Sequence, residues 1–479
     1  MNSQIVNKGR AATAALLVFT LLACSGVTPP TTTSSTPIRV QPVEITIDDL
    51  QHRTFLFFWE TANPENGLVP DRWPTPSFSS IAAVGFGLTA YGIGAERGWV
   101  TREQAAQRVL TTLRFFRNSK QGEEASGVTG SRGFYYHFVD MKTGTRFKEV
   151  ELSTIDTTLL LAGALFCQSY FDRDNAVEKE IRETVEFLYT RAQWSFFHER
   201  APLVSMGWTP EHGLHDYDYT GFNEAMILYI LAIGSPTHPI SPKAWNAYTQ
   251  SYKWDTHYGQ EHVVFAPLFG HQYSHVWIDF RGIQDHYMRE KGIDYFENSK
   301  RATISQREYA IANPMQWSGY GANLWGLTAC DGPFDGTMNV NGVARKFMTY
   351  AARGTAPHEL RDDGTIAPTA AASSIAFTPE LSTAAVQHMG RTYGAHLYQK
   401  YGFLDSFNPT LVSERKVQMG KIVPGLGWFD NDYLGIDQGP IVAMIENERS
   451  GLVWETMKKN EHVKRGLRRA GFTGGWLQE

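Results

Sequence analysis

The stretch Ser153-Thr-Ile-Asp-Thr-Thr-Leu-Leu-Leu-Ala-Gly-Ala-Leu-Phe166 is helical in composition and apolar on nearly every side after its first turn. A helix without a polar face has to be enclosed by other elements. Gly221–Ile233 has the same character. By contrast, Arg102–Asn118 and Asn175–Gln193 are amphipathic, with an apolar stripe on one side and charges opposite. The chain therefore contains two kinds of helix, one enclosed and one at the surface.

These two kinds tend to follow one another along the chain, which predicts outer helices wrapped around an inner ring. Such an all-α fold is the (α/α)6 toroid, a double ring of helices with long loops and a few short hairpins. A large irregular helical domain is the alternative. Gly133–Asp140 and Val263–Pro267 have the best period-2 patterns and are predicted as hairpins in loops. The predicted helices are Thr46–Ala62, Ser77–Arg97, Arg102–Asn118, Ser153–Phe171, Asn175–Gln193, Thr220–Ile233, Pro242–Trp254, Arg281–Glu290, Lys300–Ala312, Pro379–Tyr401, Pro440–Asn447, Leu452–Lys458 and His462–Ala470.

The N-terminus has the pattern of a secretion signal. Lys8 and Arg10 precede an apolar run, Ala11–Ala23, which is too short to span a membrane. The run ends in Leu21-Leu22-Ala23-Cys24, which resembles the lipobox of bacterial lipoproteins. We therefore expect residues 1–23 to be a signal peptide and Cys24 to be lipidated. Ser25 favours release to the outer membrane, facing the periplasm of the cell envelope. An ordinary cleaved signal with an incidental cysteine is the alternative.

Residues 24–45 are predicted as a linker, because their Pro, Thr and Ser content leaves almost no core-forming pattern. Residues 46–479 are expected to form one catalytic domain, large enough to suit a toroid. No later stretch is apolar enough to span a membrane, so the lipid anchor is the expected membrane contact. The net charge of −5 gives no basic footprint for nucleic acid. We expect a monomer that uses no cofactor.

Three acids fall at the starts of enclosed helices. Asp156 ends a capping-box pattern, Glu224 precedes the run Ala-Met-Ile-Leu-Tyr-Ile-Leu, and Asp437 lies just ahead of a helix predicted to begin at Pro440. If inner helices run parallel, these acids collect at one end of one cavity. Glycoside cleavage needs such a set, with one acid to protonate the leaving oxygen and one base to activate water. A purely structural role, in capping or at the helix dipole, is the alternative for each acid.

Two aromatic-rich loops precede Glu224 and Asp437. The chain contains 28 Phe, 21 Tyr and 13 Trp, and flat rings can stack on sugar rings, although most rings will belong to the core. The loop acids compete with the three above for catalysis or can bind sugar hydroxyls. Packing anchors are the alternative role for the rings. The candidate substrate-binding residues are Glu151, Trp208, Glu211, Asp216, Tyr217, Phe222, Trp428, Asp432 and Tyr433, with Asp218, Tyr219 and Asp430 beside them.

Other motifs are weaker. His271 and His275 have helical spacing within a histidine-rich stretch, but no HExxH is present and PLFGHQYSH is not a clean helical pattern. We expect hydrogen-bonded histidines there and no metal site. Cys167 lies in an apolar helical run and is expected to be a buried thiol, with Cys330 the one other cysteine after Cys24. The sequence contains neither a Walker loop nor a GxSxG elbow, which argues against phosphoryl transfer and α/β-hydrolase chemistry.

Longer blocks resemble the bacterial glycoamylase-like family, whose characterised members include endo-β-1,2-glucanases with an (α/α)6 toroid. They cover nearly all of the chain after the linker. The blocks are ELSTIDTTLLLAGAL (151–165), GLHDYDYTGFNEAMILYILAIGSPTHPI (213–240), FGHQYSHVWIDFRGIQD (269–285), WGLTACDGP (325–333), DDGTIAPTAA (362–371), YGFLDSFN (401–408) and YLGIDQGPIVAMIEN (433–447).

The resemblance implies hydrolysis of β-1,2-glucan at internal linkages of the polysaccharide, with inversion at the anomeric carbon. Glu224, Asp437 and Asp156 match acidic positions of the family. Our hypothesis is that Glu224 is the general acid, Asp437 the general base and Asp156 an auxiliary or substrate-binding acid. Two further readings stay open. One is an exo-acting or transglycosylating enzyme on the same or another β-glucan, and the other is a non-catalytic glycan-binding lipoprotein.

Overall fold

The protein is described here from a computed structural model, whose describable residues are 40–413 and 415–478. Helices dominate this part of the chain. They are α1 (Ile47–Thr61), α2 (Ile81–Glu96), α3 (Arg102–Asn118), α4 (Thr154–Tyr170), α5 (Ala176–Thr190), α6 (Met226–Gly234), α7 (Lys243–Gln250), α8 (Phe269–Trp277), α9 (His286–Lys291), α10 (Tyr295–Ala312), α11 (Pro368–Ala372), α12 (Pro379–Tyr393), α13 (Gly435–Arg449), α14 (Leu452–Met457) and α15 (Glu461–Arg469).

Short strands pair as small antiparallel ribbons in the loops between helices. They are β1 (Arg72–Trp73), β2 (Ser79–Ser80), β3 (Gly130–Ser131), β4 (Phe134–Tyr135), β5 (Phe138–Val139), β6 (Leu152–Ser153), β7 (Gly207–Thr209), β8 (Gly213–Leu214), β9 (Trp254–His257), β10 (Gln260–Val263), β11 (Ala329–Cys330), β12 (Gly336–Val340), β13 (Val343–Phe347), β14 (Ala351–Ala352), β15 (Gly354–Ala356), β16 (Glu359–Arg361), β17 (Tyr398–Gln399), β18 (Gly402–Phe403), β19 (Phe407–Asn408), β20 (Lys421–Val423), β21 (Gly427–Phe429) and β22 (Tyr433–Leu434).

The two predicted kinds of helix are confirmed. Helices α2, α4 and α6 are buried along most of their length, and α13 is buried except at its C-terminal end. In contrast, α3 buries one stripe and leaves its charged side in solvent, and its first turn is held by a capping box between Thr101 and Gln104. The helical class with short hairpins is therefore confirmed, while closure into six inner and six outer helices stays a prediction.

Helices α2 and α4 touch backbone to backbone. A Cβ atom added to Gly163 would lie 2.0 Å from the carbonyl oxygen of Gly85, and one added to Gly85 would lie 2.2 Å from the carbonyl oxygen of Leu159. These distances are far inside van der Waals contact, so only glycine fits at either position. The close approach fixes α4, and with it Asp156, against α2.

Several element boundaries differ from the predictions. Helix α6 begins at Met226 rather than Thr220, since Gly221 has a φ of +72° that a helix cannot accommodate. Helix α13 begins at Gly435 rather than Pro440, because β22 runs directly into it and the Gly435 N–H donates to Asp71 O at 2.8 Å. Pro440 therefore lies inside α13. The strand predicted at Val263–Pro267 is instead β10, which ends at Val263.

Helix α8 and the β12–β13 hairpin are among the elements that were not predicted. Helix α8 covers the histidine-rich stretch, and both of its histidines are fully buried by neighbouring elements. The hairpin of β12 and β13 turns through Asn341-Gly342, whose φ angles are +52° and +83°. Asn-Gly between alternating residues is a strong two-residue hairpin signal, so this hairpin was readable from the sequence.

The folded part starts before the predicted linker boundary at residue 45. The Val43 N–H donates to Gly390 O at 3.0 Å, and Ile45 is buried in the core. The last residues of the predicted linker are therefore packed. The predicted signal peptide and Cys24 lie outside the described residues. Within the described ranges, no helix combines the length and apolarity needed to cross a membrane.

Cys167 is a buried free thiol, as predicted, and Cys330 is another. The two histidines of α8, His271 and His275, make hydrogen bonds to protein groups, as expected. His271 Nε2 contacts Phe265 O at 3.2 Å, and His275 Nε2 contacts Ser299 Oγ at 3.0 Å.

Candidate active site

Asp156 lies in the first turn of α4 and is almost fully buried. Ser153 caps the helix, because its hydroxyl oxygen accepts the Asp156 N–H at 3.1 Å. The same hydroxyl donates to Asp156 Oδ2 at 2.5 Å. Burial raises the pKa of Asp156, and the nearby His137 imidazole opposes that rise. Asp156 is thus both a capping residue and a cavity acid.

Glu224 lies in the turn just before α6, so the turn and not the helix orients it. Its carbonyl oxygen accepts the Ser274 hydroxyl at 2.9 Å, and neighbouring Asn223 is fixed by the Tyr248 hydroxyl at 2.8 Å. The Glu224 carboxyl has no side-chain partner within the described residues, and Glu224 stays partly exposed. The surrounding protein removes much of its hydration and raises its pKa to about 7, with the Asp156 charge adding to the rise.

Asp437 lies in the first turn of α13, buried except for a small face. Its backbone is fixed by the Thr369 hydroxyl, which donates to Asp437 O at 2.9 Å. Its Oδ2 is buried and has no hydrogen-bond partner within the described residues. Burial raises the pKa of Asp437 well above its usual value, and the nearby Asp405 carboxyl raises it further. Two neighbouring buried carboxyls cannot both be ionised at low cost.

Tyr273, on α8, connects the three acids. It is largely buried, and the charges of Asp437, Glu224 and Asp156 all act on its hydroxyl. Burial first, and then these charges, raise its pKa well above the usual value. The three predicted acids therefore all lie within electrostatic range of one tyrosine side chain.

His137 joins Asp156 to another predicted residue, Glu151. Its Nδ1 lies 2.9 Å from Glu151 Oε1, and its Nε2 lies 3.5 Å from Asp156 Oδ1. Burial alone would lower the pKa of His137, but the Asp156 and Glu151 charges outweigh it and raise that pKa to about 9. His137 is therefore an imidazolium at neutral pH, and it offsets negative charge on this side of the cavity.

Behind Asp437, acidic side chains outnumber basic ones. Oxygens of Asp331, Asp405 and Asp430 lie within 4.8 Å of one another. Arg72 is the cation nearest to them, with its guanidinium 2.7 Å from Asp331 Oδ2 and 3.8 Å from Asp432 Oδ2. Three such carboxylates could hold a divalent cation by ligand type. Arg72 offsets part of their negative charge.

The predicted substrate-binding residues divide into two groups, of which the first is accessible. The Tyr217 ring is 74% exposed, the Asp216 carboxylate is nearly fully exposed, and Trp208 on β7 is partly exposed. Glu211 is held by Arg146 through two hydrogen bonds of 2.7 and 2.9 Å. These four residues can contact a bound chain, although Glu211 is already paired.

Phe222 is nearly buried and stacks on His271 with ring centroids 4.7 Å apart. Its remaining surface lines a cavity of about 460 Å³, with Phe265, Lys253 and Glu359 on the other sides. It offers an aromatic wall and charged groups, and its lining residue Phe222 lies two positions before Glu224 in the sequence.

The structure contradicts the substrate-binding roles predicted for the second group, which consists of Trp428, Tyr433 and Asp432. The Trp428 ring is fully buried in a small second core with Phe334, and its Nε1 donates to Met419 O at 2.7 Å. Tyr433 packs in the main core, and its hydroxyl accepts the Tyr401 N–H. Neither ring can stack on a sugar, because the protein already covers both faces. Asp432 is also buried, and its Oδ1 accepts the Thr75 N–H at 3.0 Å.

Sequence reasoning missed four residues of the site. They are His137, Tyr273, Asp405 and Tyr350, which is 53% exposed and lies within electrostatic range of Asp437. Asp405 falls in the block YGFLDSFN, where it follows no helix-start pattern. Tyr273 was not predicted as a site residue because helix α8, which carries it, was not predicted. The signal that could have found both was the presence of polar residues in otherwise apolar, family-matching blocks.

The fold and the site together define a helical protein with a cluster of buried carboxyl groups. Residues 216–461, just over half of the chain, match the family model Glycoamylase, described as "Putative glucoamylase". The chain belongs to this glycoamylase-like family.

Three relatives extend the comparison. An exo beta-1,2-glucooligosaccharide sophorohydrolase (non-reducing end) of Parabacteroides distasonis is 31% identical over 458 residues, which are 88% of this chain and 57% of that protein. The chain thus spans little more than half the length of this curated relative. An endo-beta-1,2-glucanase of Chitinophaga pinensis, solved with sophorotriose and glucose, is 28% identical with a TM-score of 0.76, covering 90% of this chain and 100% of that one. A beta-1,2-glucanase of Parabacteroides distasonis is 29% identical with a TM-score of 0.75, covering 89% and 60%.

Proposed function

We propose that this protein is a glycoside hydrolase that cleaves β-1,2-glucan with an acid and base pair. The observation that carries the proposal is the Glu224 carboxyl, which is partly exposed, has no side-chain partner within the described residues and has a pKa of about 7. A general acid has to be protonated near the working pH and free to reach the leaving oxygen. The β-1,2 linkage of the proposed substrate is taken from the names of the three relatives.

In the proposed reaction Glu224 protonates the glycosidic oxygen while Asp437 removes a proton from the attacking water. Water forms a bond to the anomeric carbon as the glycosidic bond breaks, and the configuration inverts. This geometry requires carboxyls roughly 6.5–9.5 Å apart, with the water between one of them and the sugar. Asp156 and Glu151, joined by His137, are proposed to bind sugar hydroxyls. Tyr217 and Trp208 are proposed as stacking surfaces at the rim.

We further propose endo action, so that products form a ladder of oligosaccharides. The relatives include one exo-acting and one endo-acting enzyme, so product length is the deciding observation. A single disaccharide product would indicate exo action, and cyclic or lengthened products would indicate transfer. Binding without any new reducing ends would support a glycan-binding protein.

The test is a reducing-end assay of the full chain on a panel of β-1,2-, β-1,3- and β-1,4-glucans. We expect release from β-1,2-glucan alone. Glu224→Gln should lower kcat by at least about 10², the usual contribution of a general acid. Glu103→Gln is the matched control, because Glu103 lies exposed on α3 and should leave kcat unchanged. Unchanged release by a folded Glu224→Gln protein would remove Glu224 from the mechanism.

A further inference from the structure

We propose that His137 is a positioning residue that holds the carboxylates of Glu151 and Asp156 to accept hydrogen bonds from hydroxyl groups of the glucan. The proposal rests on the function proposed above, which gives the glucan as the ligand. In this role His137 acts through the two carboxylates beside its ring and not through a contact of its own with the sugar.

The backbone of His137 is fixed between the starts of two buried helices. Its N–H donates to Glu151 O at 2.9 Å, and its carbonyl oxygen accepts the N–H of Ile81, the first residue of α2, at 3.3 Å. Glu151 directly precedes β6, which runs into α4. The imidazole is therefore held in one position relative to the first turns of α2 and α4.

Each ring nitrogen of His137 contacts a different carboxylate. Nδ1 lies 2.9 Å from Glu151 Oε1, and Nε2 lies 3.5 Å from Asp156 Oδ1. The other oxygen of Asp156 accepts the Ser153 hydroxyl at 2.5 Å. No side chain of the described residues donates to Glu151 Oε2, and the Glu151 side chain is 27% exposed. Glu151 is thus fixed through one oxygen and has the other available to a ligand.

Charge explains why a histidine stands between these two acids. Burial raises the pKa of Asp156 and the Glu151 charge adds to the rise, while His137 opposes both. Burial would also raise the pKa of Glu151, but its contact with His137 brings that pKa below the usual value. An ionised carboxylate only accepts hydrogen bonds, so it suits the O–H donors of a sugar. His137 therefore favours two acceptors at this position.

Other titratable groups face His137 or its two partners. Asp71, in the loop before β1, is within electrostatic range of His137, and burial raises its pKa to about 6. His215 acts on Glu151, and Tyr219 is within range of both carboxylates. Because these groups are the same in a His137→Gln protein, that protein separates a pH effect of His137 from theirs.

Binding is measured in the Glu224→Gln protein, so that bound glucan is not cleaved. Calorimetry with a β-1,2-linked gluco-oligosaccharide gives Kd without further change and with His137→Gln, Glu151→Gln or both. We expect each added change to raise Kd at least about tenfold, because hydrogen bonds to a charged group are lost or misaligned. The double change should raise Kd no more than His137→Gln alone, since His137 acts through Glu151. His286→Gln, at a side chain 75% exposed on α9, is the matched control and should leave Kd unchanged.

The pH dependence of Kd reports the charge of His137. With His137 present, affinity should stay constant near neutral pH and weaken above about pH 9, as the imidazolium loses its proton. The His137→Gln protein should show no such weakening. Nitrogen NMR of the full chain with labelled histidines measures the protonation of His137 directly, and the shift caused by Glu151→Gln identifies its signal.

Additive effects of His137→Gln and Glu151→Gln on Kd would overturn the proposal, because the two residues would then contribute independently. A neutral His137 at neutral pH would also overturn it, and that measurement does not require a folded His137→Gln protein. Absence of both binding and cleavage of β-1,2-glucan would remove the proposed function and this proposal with it. Cleavage by wild type together with a Kd that does not depend on His137 would overturn this proposal alone.

Discussion

Glu224 and Asp437 have raised pKa values for different physical reasons. Glu224 is unpaired and loses hydration, whereas Asp437 is buried against a second carboxyl. The different neighbours of Glu224 and Asp437 thus distinguish the proposed proton donor from the proposed proton acceptor, as a catalytic carboxyl pair requires. His137, protonated up to about pH 9, keeps positive charge beside Asp156 throughout the neutral range.

The pKa of Glu224 predicts the alkaline limb of the activity profile. A general acid has to be protonated, so kcat/KM should fall as pH rises through about 7, by about tenfold per unit above it. Initial rates on β-1,2-glucan from pH 5 to 9 measure this. Glu103→Gln should reproduce the wild-type profile. A rate that stays flat to pH 9 would mean that Glu224 does not supply the proton.

At the scale of residues, the sequence indicates Asp156, Glu224 and Asp437 as candidate acids, because each stands out at the start of an apolar helix. Their catalytic roles stay predictions. The sequence does not indicate that Asp405, His137 and Tyr273 belong to the site, since they come close to the candidate acids only through contacts between distant elements. The sugar-stacking roles predicted for Trp428 and Tyr433 were wrong. The sequence does not distinguish an aromatic loop residue that is exposed from one that packs in the core.

Elements set the positions of these residues. Helix α4 carries Asp156 and is held against α2 by the contact of Gly163 with Gly85. Helix α8 carries Tyr273 and packs against α13, which carries Asp437. Most helices were predictable from apolar periodicity, but α8 is short, and its histidines are buried only because other elements cover them.

Gly163→Ala should destabilise the fold. The added methyl would meet the Gly85 carbonyl at 2.0 Å, so α2 and α4 would have to separate. We expect a loss of about 1–3 kcal/mol in the free energy of unfolding, which exceeds the helix-propensity gain of about 1 kcal/mol from removing a glycine. Urea denaturation followed by circular dichroism measures it. Gln107→Ala, exposed on α3, is the control and should change stability by less than about 0.5 kcal/mol. A Gly163→Ala protein as stable as wild type would show that the helices can part freely.

At the scale of the whole molecule, the helical class followed from the alternation of enclosed and amphipathic segments. Ring closure did not follow, because periodicity describes one helix at a time. The folded part begins at or before Val43, so the residues available for a linker end earlier than composition indicated.

We propose that the mature protein is tethered to the outer membrane, on its periplasmic side, by lipid on Cys24. Cys24→Ser should move the protein from the membrane fraction to the soluble periplasmic fraction and abolish incorporation of labelled palmitate. Fractionation with immunoblotting measures the first effect. Ser25→Ala is the control and should stay membrane-bound. A Cys24→Ser protein that remains in the membrane fraction would contradict the anchor.

The stereochemistry of cleavage tests the central claim most directly. Proton NMR of wild-type enzyme acting on a β-1,2-linked gluco-oligosaccharide follows the anomeric signal of the new reducing end during the first minutes. Direct attack of water held by Asp437, with Glu224 as the acid, predicts that the α-anomer appears first and then mutarotates. First appearance of the β-anomer would contradict the account, because it requires a covalent intermediate on one of the carboxylates.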